Sequence, residues 1–120
     1  MGDVLFATWS PLGYPVECSY DTWNAHIAAD DGHPIMRDNV ANVVSAIENP
    51  DAVFYSSQTT MRHVYFQLSQ YSVKRSLVAL YTKVVVDVSA RVSPGKVVSA
   101  WPQNTMSGGI GGMMYVKPKL

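Results

Sequence analysis

The sequence predicts an α+β fold in which N-terminal helices pack on one face of an antiparallel sheet of about four strands. Two observations carry this prediction. An apolar stripe recurs at helical spacing within residues 34–48, and its members are Met36, Val40, Val43, Val44 and Ile47. From residue 52 onward the chain instead contains β-branched and aromatic runs separated by short loops, which is typical of antiparallel strands.

Length and composition set the limits of the fold. The chain has 120 residues, of which 48% are hydrophobic, so we expect one domain over residues 1–120 with its core between about 16 and 117. No apolar run approaches the ~20 residues of a membrane-spanning helix, and no signal peptide is recognisable. The single cysteine, Cys18, excludes an internal disulfide and is expected to be a structural residue in a reducing compartment.

The formal net charge is zero, but the charges are unevenly distributed. Residues 1–52 contain eight acids and one base, whereas residues 53–120 contain eight bases and one acid. This asymmetry has two interpretations. Either a basic sheet face binds an anion beside an acidic helical layer, or the two halves of the chain attract each other.

The N-terminal third contains the predicted helices. Residues 4–8 are expected to form a short strand, residues 10–15 a turn-rich connector and residues 16–19 a brief extended piece. Asp21 is the predicted N-cap of a helix that runs to about Asp30 and is ended by Gly32. Pro34 suits the first turn of the second helix, which ends before Pro50 because a residue that precedes proline is disfavoured in helices.

Strands are predicted at residues 52–55, 61–68, 77–88, 96–101 and 113–117. The connections are a polar turn, a loop at 69–76, a turn at 89–95 and a glycine-rich connector at 103–112. Side chains alternate between the two faces of a strand, so one face is expected to be aliphatic and to cover the helical stripe. The other, open face is predicted to carry His63, Tyr65, Tyr81, Lys83, Ser99 and Trp101.

The order of several short segments resembles a known family. These segments are TWNAHI (22–27), HP (33–34), AIENPDAVFYSS (46–57), HVYF (63–66), YTKVVVDV (81–88), VVSAWP (97–102) and GGMMYVK (111–117). Together they resemble the phage-associated branch of the barnase–EndoU–colicin–RelE-like (BECR) nucleases. The chain departs from the family pattern where Ile35 replaces a glutamate after His-Pro, Ser99 replaces a threonine and Trp101 replaces a tyrosine.

The resemblance implies a metal-independent endoribonuclease of phage or toxin type, with a barnase-like fold and no cofactor. It implies that His26, His33, Tyr65 and Ser99 are catalytic. Arg62, Lys83 and Trp101 are the implied RNA-binding residues. The implied partners are RNA, with tRNA as one candidate, and a protein inhibitor or immunity protein, with no membrane. The implied location is the cytoplasm, either of the producing cell or of a target cell.

Each residue type suits one step of RNA cleavage by the substrate's own 2′-hydroxyl. Histidine serves as base or acid because its ordinary pKa lies near ~6.5. Lysine, arginine and hydroxyl groups stabilise the phosphorane, and aromatic rings stack on bases. For each residue the alternative is a structural role: a packed His26, a turn-orienting His33, a solvated Arg62 or Lys83, and a packed Tyr65 or Trp101.

Two other functions compete with the nuclease. The first is a catalytically silent binding or structural module on the same scaffold, which Ile35 and the neutral net charge favour. The second is a transferase that uses a nucleotide cofactor. The GGIGG segment at 108–112 does not support it, because no strand precedes the segment, no helix follows it and the lysine of a phosphate-binding loop is missing.

Overall fold

A computed structural model describes residues 3–29, 32–89 and 94–118, and its main feature is one seven-stranded sheet in the order β1-β2-β6-β5-β4-β3-β7. The strands are β1 (Val4–Trp9), β2 (Pro15–Ser19), β3 (Ala52–Ser56), β4 (Arg62–Val73), β5 (Ser76–Asp87), β6 (Gly95–Gln103) and β7 (Ile110–Val116). The helical segments are α1 (Tyr20–Thr22), a π-helical turn (Trp23–Ile27), a 3₁₀ helix (Pro34–Asp38) and α2 (Val40–Glu48).

The predicted fold class is therefore wrong. The sheet has seven strands and is mixed rather than a four-stranded antiparallel sheet, because β2 runs parallel to β6 while the other neighbours are antiparallel. Short helical segments, of which α2 is the longest at nine residues, replace the two N-terminal helices. The predicted helix end at Asp30 and most of the predicted turn at 89–95 lie outside the described residues.

The N-terminal residues contribute a hairpin instead of only connecting to a helix. Strands β1 and β2 pair with each other, and β2 then joins the sheet through the pairs Val16–Gly95 and Glu17–Lys96. At Gly95 a Cβ atom would lie 3.0 Å from Val86 Cγ1, so the missing side chain allows close packing at this junction. About 75 residues separate the paired strands, and local sequence patterns do not report such a distant pairing.

The first helical segment is short because later residues take its carbonyl groups. Ser19 caps α1 by accepting a hydrogen bond from the Thr22 amide. The π-helical turn closes with a 2.7 Å bond from the Ala28 amide to the Trp23 carbonyl. The His33 amide then donates to the Ile27 carbonyl, and Arg37 Nε donates to the Ala28 carbonyl, each at 2.9 Å. These bonds satisfy the end of the turn without a further helical residue.

Asn39 divides the second predicted helix into a 3₁₀ helix and α2. Its side-chain amide donates to the Ile35 carbonyl at 2.7 Å, the group that an α-helix would pair with the Asn39 backbone amide. The Asn39 backbone amide donates instead to the Met36 carbonyl. The predicted apolar stripe still faces the core, because Met36, Val43 and Ile47 are buried.

The main core lies between one face of the sheet and the layer formed by α2 and the π-helical turn. Buried residues from α2, β2, β4, β5 and β6 form one cluster there, which includes Cys18. Cys18 is 1% exposed and is therefore a core residue, as predicted, and burial raises the pKa of its thiol to about 11. Among the described residues, no helix is long and apolar enough to cross a membrane.

We predict that Gly32→Ala destabilises the protein. A Cβ atom at residue 32 would lie 2.6 Å from the His26 carbonyl oxygen and 3.3 Å from that of Ile27, so the π-helical turn must move away. We expect a loss of about 1–3 kcal/mol in the free energy of unfolding, measured by urea denaturation. Gly111→Ala is the matched control, because its nearest contacts would be ordinary ones at 3.5 Å. Equal stability of the two variants would contradict the close packing described for Gly32.

Candidate functional site

The register of the β4–β5 hairpin decides which side chains share the open face of the sheet. Tyr65 lies opposite Val84, and Phe66 lies opposite Lys83. Residues that face each other across an antiparallel pair project to the same side, so Tyr65 joins the core face with Val84. The prediction that Tyr65 and His63 share the open face with Lys83 is wrong, because the register pairs them with the aliphatic residues of β5.

Tyr65 is fully buried under the N-terminal hairpin. Its hydroxyl donates to Ser10 Oγ at 2.7 Å, and Ser10 Oγ also accepts from the Leu12 amide. Burial raises the pKa of Tyr65. The side chain therefore holds the β1–β2 loop against β4 and lies on the opposite side of the sheet from Lys83.

His63 is a second buried polar residue on the core face. It is 3% exposed, and its ring makes edge contacts with Tyr14 and Tyr55 at centroid distances of 5.5 and 5.9 Å. Its Nδ1 atom has no hydrogen-bond partner, and burial lowers its pKa. His63 is thus a neutral packing residue.

Lys83 is the central residue of the open face. It is 5% exposed, and its ammonium donates to the carbonyls of Ser107 and Gly108 at 3.1 and 2.6 Å. The ammonium also lies 4.8 Å from the ring centroid of Trp101 and 5.8 Å from that of Phe66. No carboxylate among the described residues pairs with this ammonium, and burial lowers its pKa.

Trp101 connects His33 to Lys83 on the open face. Trp101 lies opposite Lys83 across the β5–β6 pair. The His33 ring stacks on the Trp101 ring with a centroid distance of 5.7 Å and an interplanar angle of 19°. One indole therefore contacts both a histidine from the N-terminal third and the buried lysine of the sheet, although these two residues are 50 positions apart in the sequence.

A glycine-containing loop forms the rim of the site. Gln103 accepts from Trp101 Nε1 and donates to the carbonyls of Thr105 and Ser107. Gly108 and Gly109 both have positive φ angles, and a Cβ atom at Gly108 would lie only 3.1 Å from Lys83 Nζ. The sequence interpretation of this segment as a loose connector missed its role, because no local pattern indicates that it folds back on Lys83.

Lys83, Trp101, Gly108 and Gly109 line part of a small pocket with a volume of about 150 Å³, and His33 reaches its edge through the stack on Trp101. Arg62 contributes a second cation to the wall of the pocket, and its Nε atom lies 3.7 Å from Oδ2 of Asp87. Hydrogen bonds from Ser89, together with the charge of Arg62, lower the pKa of Asp87. The lining residues are Ser56, Gln58, Arg62, Val64, Lys83, Val85, Trp101, Gly108 and Gly109.

The two other predicted site residues, Ser99 and His26, do not line this pocket. Ser99 faces Val85 and is therefore on the open face with Lys83. His26 is an exposed residue of the π-helical turn. The structure thus brings Trp101, Lys83 and Arg62 together around the pocket, stacks His33 on Trp101, and places Tyr65 on the opposite face of the sheet.

Comparison of the chain with models of protein families, with curated proteins and with solved structures finds no match. Within residues 3–29, 32–89 and 94–118, no three His, Cys, Asp or Glu side chains are grouped so that they could hold a metal ion. The case for a function therefore rests on the residues of the open face.

We predict that Tyr65→Phe lowers the free energy of unfolding by about 1–2 kcal/mol, because it removes a buried hydrogen bond to Ser10. Urea denaturation measures the change. Tyr81→Phe on the open face is the control, since the Tyr81 hydroxyl makes no hydrogen bond among the described residues. A Tyr65→Phe variant as stable as Tyr81→Phe would contradict the anchoring role of the Tyr65 hydroxyl.

We also predict that His63 makes stability depend on pH. Burial lowers the pKa of His63 in the folded protein, so the unfolded chain binds a proton at a higher pH. The contribution of neutral His63 to the free energy of unfolding is therefore fully present above about pH 6.5, and it decreases as the pH falls below that value. His63→Phe should remove this loss, measured as the difference between wild type and variant in urea denaturation at pH 7.5 and 5.5. Parallel pH dependence of the two proteins would be inconsistent with a buried neutral imidazole.

Proposed function

We propose that the protein is a metal-independent endoribonuclease whose site lies on the open face of the sheet. One observation carries the proposal: His33 and Lys83 contact the same indole ring beside a small pocket that also contains Arg62. Cleavage through the 2′-hydroxyl requires a proton-transfer group and cations at one phosphate, and His33, Lys83 and Arg62 are the groups of these types that Trp101 and the pocket connect. The resemblance of the segments around His26, His33, Lys83 and Ser99 to BECR nucleases points to the same chemistry.

The reaction needs two proton transfers and stabilisation of one anion. A base removes the proton of the 2′-hydroxyl while its oxygen attacks phosphorus. The bond from phosphorus to the 5′-oxygen breaks, and an acid protonates that oxygen. The products are a 2′,3′-cyclic phosphate and a free 5′-hydroxyl. The negative charge on the phosphorane oxygens is greatest midway, where fixed cations are most effective.

Lys83 and Arg62 are the proposed phosphate ligands. A buried ammonium is costly unless it is paired, and among the described residues the partners of Lys83 are two carbonyls and aromatic rings. A phosphate oxygen would supply the missing negative charge. The pocket volume of about 150 Å³ suits one phosphate group rather than a whole nucleotide. Ser99, on the same face, is the proposed hydroxyl donor to the phosphate.

His33 and His26 are the proposed acid–base pair. The His33 amide bonds to the carbonyl of Ile27, the residue after His26, so the backbones of the two histidines are held together. His26 belongs to a π-helical turn, a feature that is frequent at functional sites. Trp101 is a positioning residue in this scheme, because its ring already contacts His33 and Lys83 rather than standing free for a base.

A silent RNA- or protein-binding module is the second candidate. Ile35 occupies the position of the glutamate in the nuclease pattern, and the Lys83 ammonium already has two carbonyl partners. Either function would be exercised in the cytoplasm of the producing or the target cell. An active nuclease would also require a protein inhibitor in the cell that makes it, and tRNA is one candidate substrate.

We predict that the wild-type protein cleaves RNA in the presence of EDTA and leaves 2′,3′-cyclic phosphate ends. His33→Phe should keep the stack on Trp101 but lose proton transfer, and it should reduce the rate by about 10²-fold or more. Lys83→Met should cause a loss of similar size by removing the phosphate ligand. Cleavage of labelled tRNA and of a mixed RNA pool, followed on denaturing gels, measures these rates.

The controls separate chemistry from folding. Lys117→Met removes an exposed lysine outside the site, and Tyr65→Phe removes a hydroxyl on the core face, so both should cleave at the wild-type rate. His26→Ala tests the second histidine at an exposed position. A well-folded wild-type protein that cleaves neither the tRNA nor the mixed RNA pool would contradict the nuclease proposal and favour the silent module. Cleavage that survives His33→Phe and Lys83→Met would show that the activity arises elsewhere.

A further inference from the structure

A second and larger cavity, with a volume of about 510 Å³, opens where β2 separates from β6. Among the described residues the two strands pair only at Val16–Gly95 and Glu17–Lys96, so beyond Glu17 they leave a gap. A β-bulge in β6 leaves Val98 between the paired residues Val97 and Ser99. The residues that matter for the cavity are Val4, Glu17, Ser19, Thr22, Lys96 and Val98.

This cavity lies on the same face of the sheet as the small pocket lined by Arg62, Lys83 and Trp101, which is called the phosphate pocket below. A row of side chains crosses the sheet from Glu17 to Lys96, Asp87 and Arg62, because each faces the next across a strand pair. Arg62 lines the phosphate pocket and Lys96 lines the larger cavity. Two strand spacings separate these two residues, or about 10 Å. One nucleic-acid strand can therefore reach both cavities.

The walls of the cavity match a nucleobase. Val4 and Val98 supply apolar surface, and Ser19 and Thr22 supply hydroxyl groups that bond to each other. Lys96 pairs with Glu17 through Oε1. The second carboxylate oxygen of Glu17, Oε2, has no hydrogen-bond partner among the described residues. A carboxylate oxygen accepts from the exocyclic amine of cytosine or adenine, whereas uracil offers a carbonyl there.

We propose that this cavity is a base subsite for a nucleotide next to the cleaved phosphate, and that Glu17 selects bases with an exocyclic amine. The inference rests on the proposed function, since it takes the substrate to be RNA. Lys96, whose side chain is half exposed, adds a positive charge for the neighbouring phosphate. The subsite would thus give the nuclease a preference for adenosine and cytidine over uridine.

The test uses 2′-O-methyl tetranucleotides of adenosine, cytidine and uridine, which lack the attacking hydroxyl and so report binding alone. Fluorescence anisotropy of labelled tetramers gives the dissociation constants. Val98→Trp should fill the cavity, exclude the base and weaken binding of the adenosine and cytidine tetramers by about tenfold, or about 1.4 kcal/mol. Val78→Trp, on the exposed part of the β4–β5 hairpin, is the matched control and should bind as the wild type does.

Glu17→Gln tests the base preference, because an amide both donates and accepts and should bind uridine as well as adenosine. If Val98→Trp binds as tightly as Val78→Trp, the subsite is wrong. If wild type does not favour adenosine or cytidine over uridine, the role of Glu17 is wrong. Tight, Val98-dependent binding without cleavage of natural RNA would leave the subsite standing and refute the nuclease. A wild-type protein that binds no tetramer would refute the subsite.

Discussion

The cross-strand register of the β4–β5 hairpin is the constraint on which the rest of the structure depends. Twelve residues of each strand pair without a break, from Arg62–Asp87 to Val73–Ser76. The turn between them contains only Lys74 and Arg75, both with positive φ angles of 49° and 66°. A two-residue turn with this conformation fixes the register of both strands. A slip of one residue would put Tyr65 and Lys83 on the same face, so either Tyr65 would leave the core or Lys83 would enter it.

The same register explains why tyrosines can lie in the core. On that face Tyr71 contacts Thr82 Oγ1 at 2.5 Å, and Thr82 donates to Ser69 at 2.8 Å. Tyr65 has its own partner in Ser10. Because buried polar groups are costly without hydrogen bonds, these pairs stabilise only one alignment of β4 on β5 and one position of the N-terminal hairpin. Packing and polar satisfaction therefore favour the same register that places Lys83 on the open face.

Local patterns in the sequence predicted the parts of the structure that local forces determine. Apolar spacing located Met36, Val43 and Ile47 in the core, and β-branched runs located the strands that follow residue 52. Alternation within single strands correctly placed Lys83 and Trp101 on one face. The face of Tyr65 was wrong because alternation within a strand does not give the register between strands. A Lys-Arg turn with positive φ lacks the Asn-Gly or Asp-Gly signal, so the sequence predicts a loop at residues 69–76 where the structure has a two-residue hairpin turn.

Other features depend on contacts that are distant in the sequence. The parallel pairing of Glu17 with Lys96 and the stacking of His33 on Trp101 join segments that are more than 60 residues apart. The split of the second helix depends on one competing bond, from the Asn39 side chain to the Ile35 carbonyl. The spacing of apolar residues along the chain does not predict these interactions. They nevertheless determine the number of strands and the composition of the site.

The Lys83 ammonium connects anion binding to the position of the loop that contains Ser107 and Gly108, because it donates hydrogen bonds to both residues. The ammonium donates hydrogen bonds to the carbonyls of Ser107 and Gly108. Gly108 can lie this close because it has no side chain, whereas a Cβ atom there would lie only 3.1 Å from Nζ. A bound phosphate would draw on the same three N–H groups. Anion binding and the position of the loop are therefore coupled through one atom, and the affinity of the pocket depends on how strongly the two carbonyls compete. A lysine paired with a carboxylate would have no such dependence, because its charge would already be neutralised.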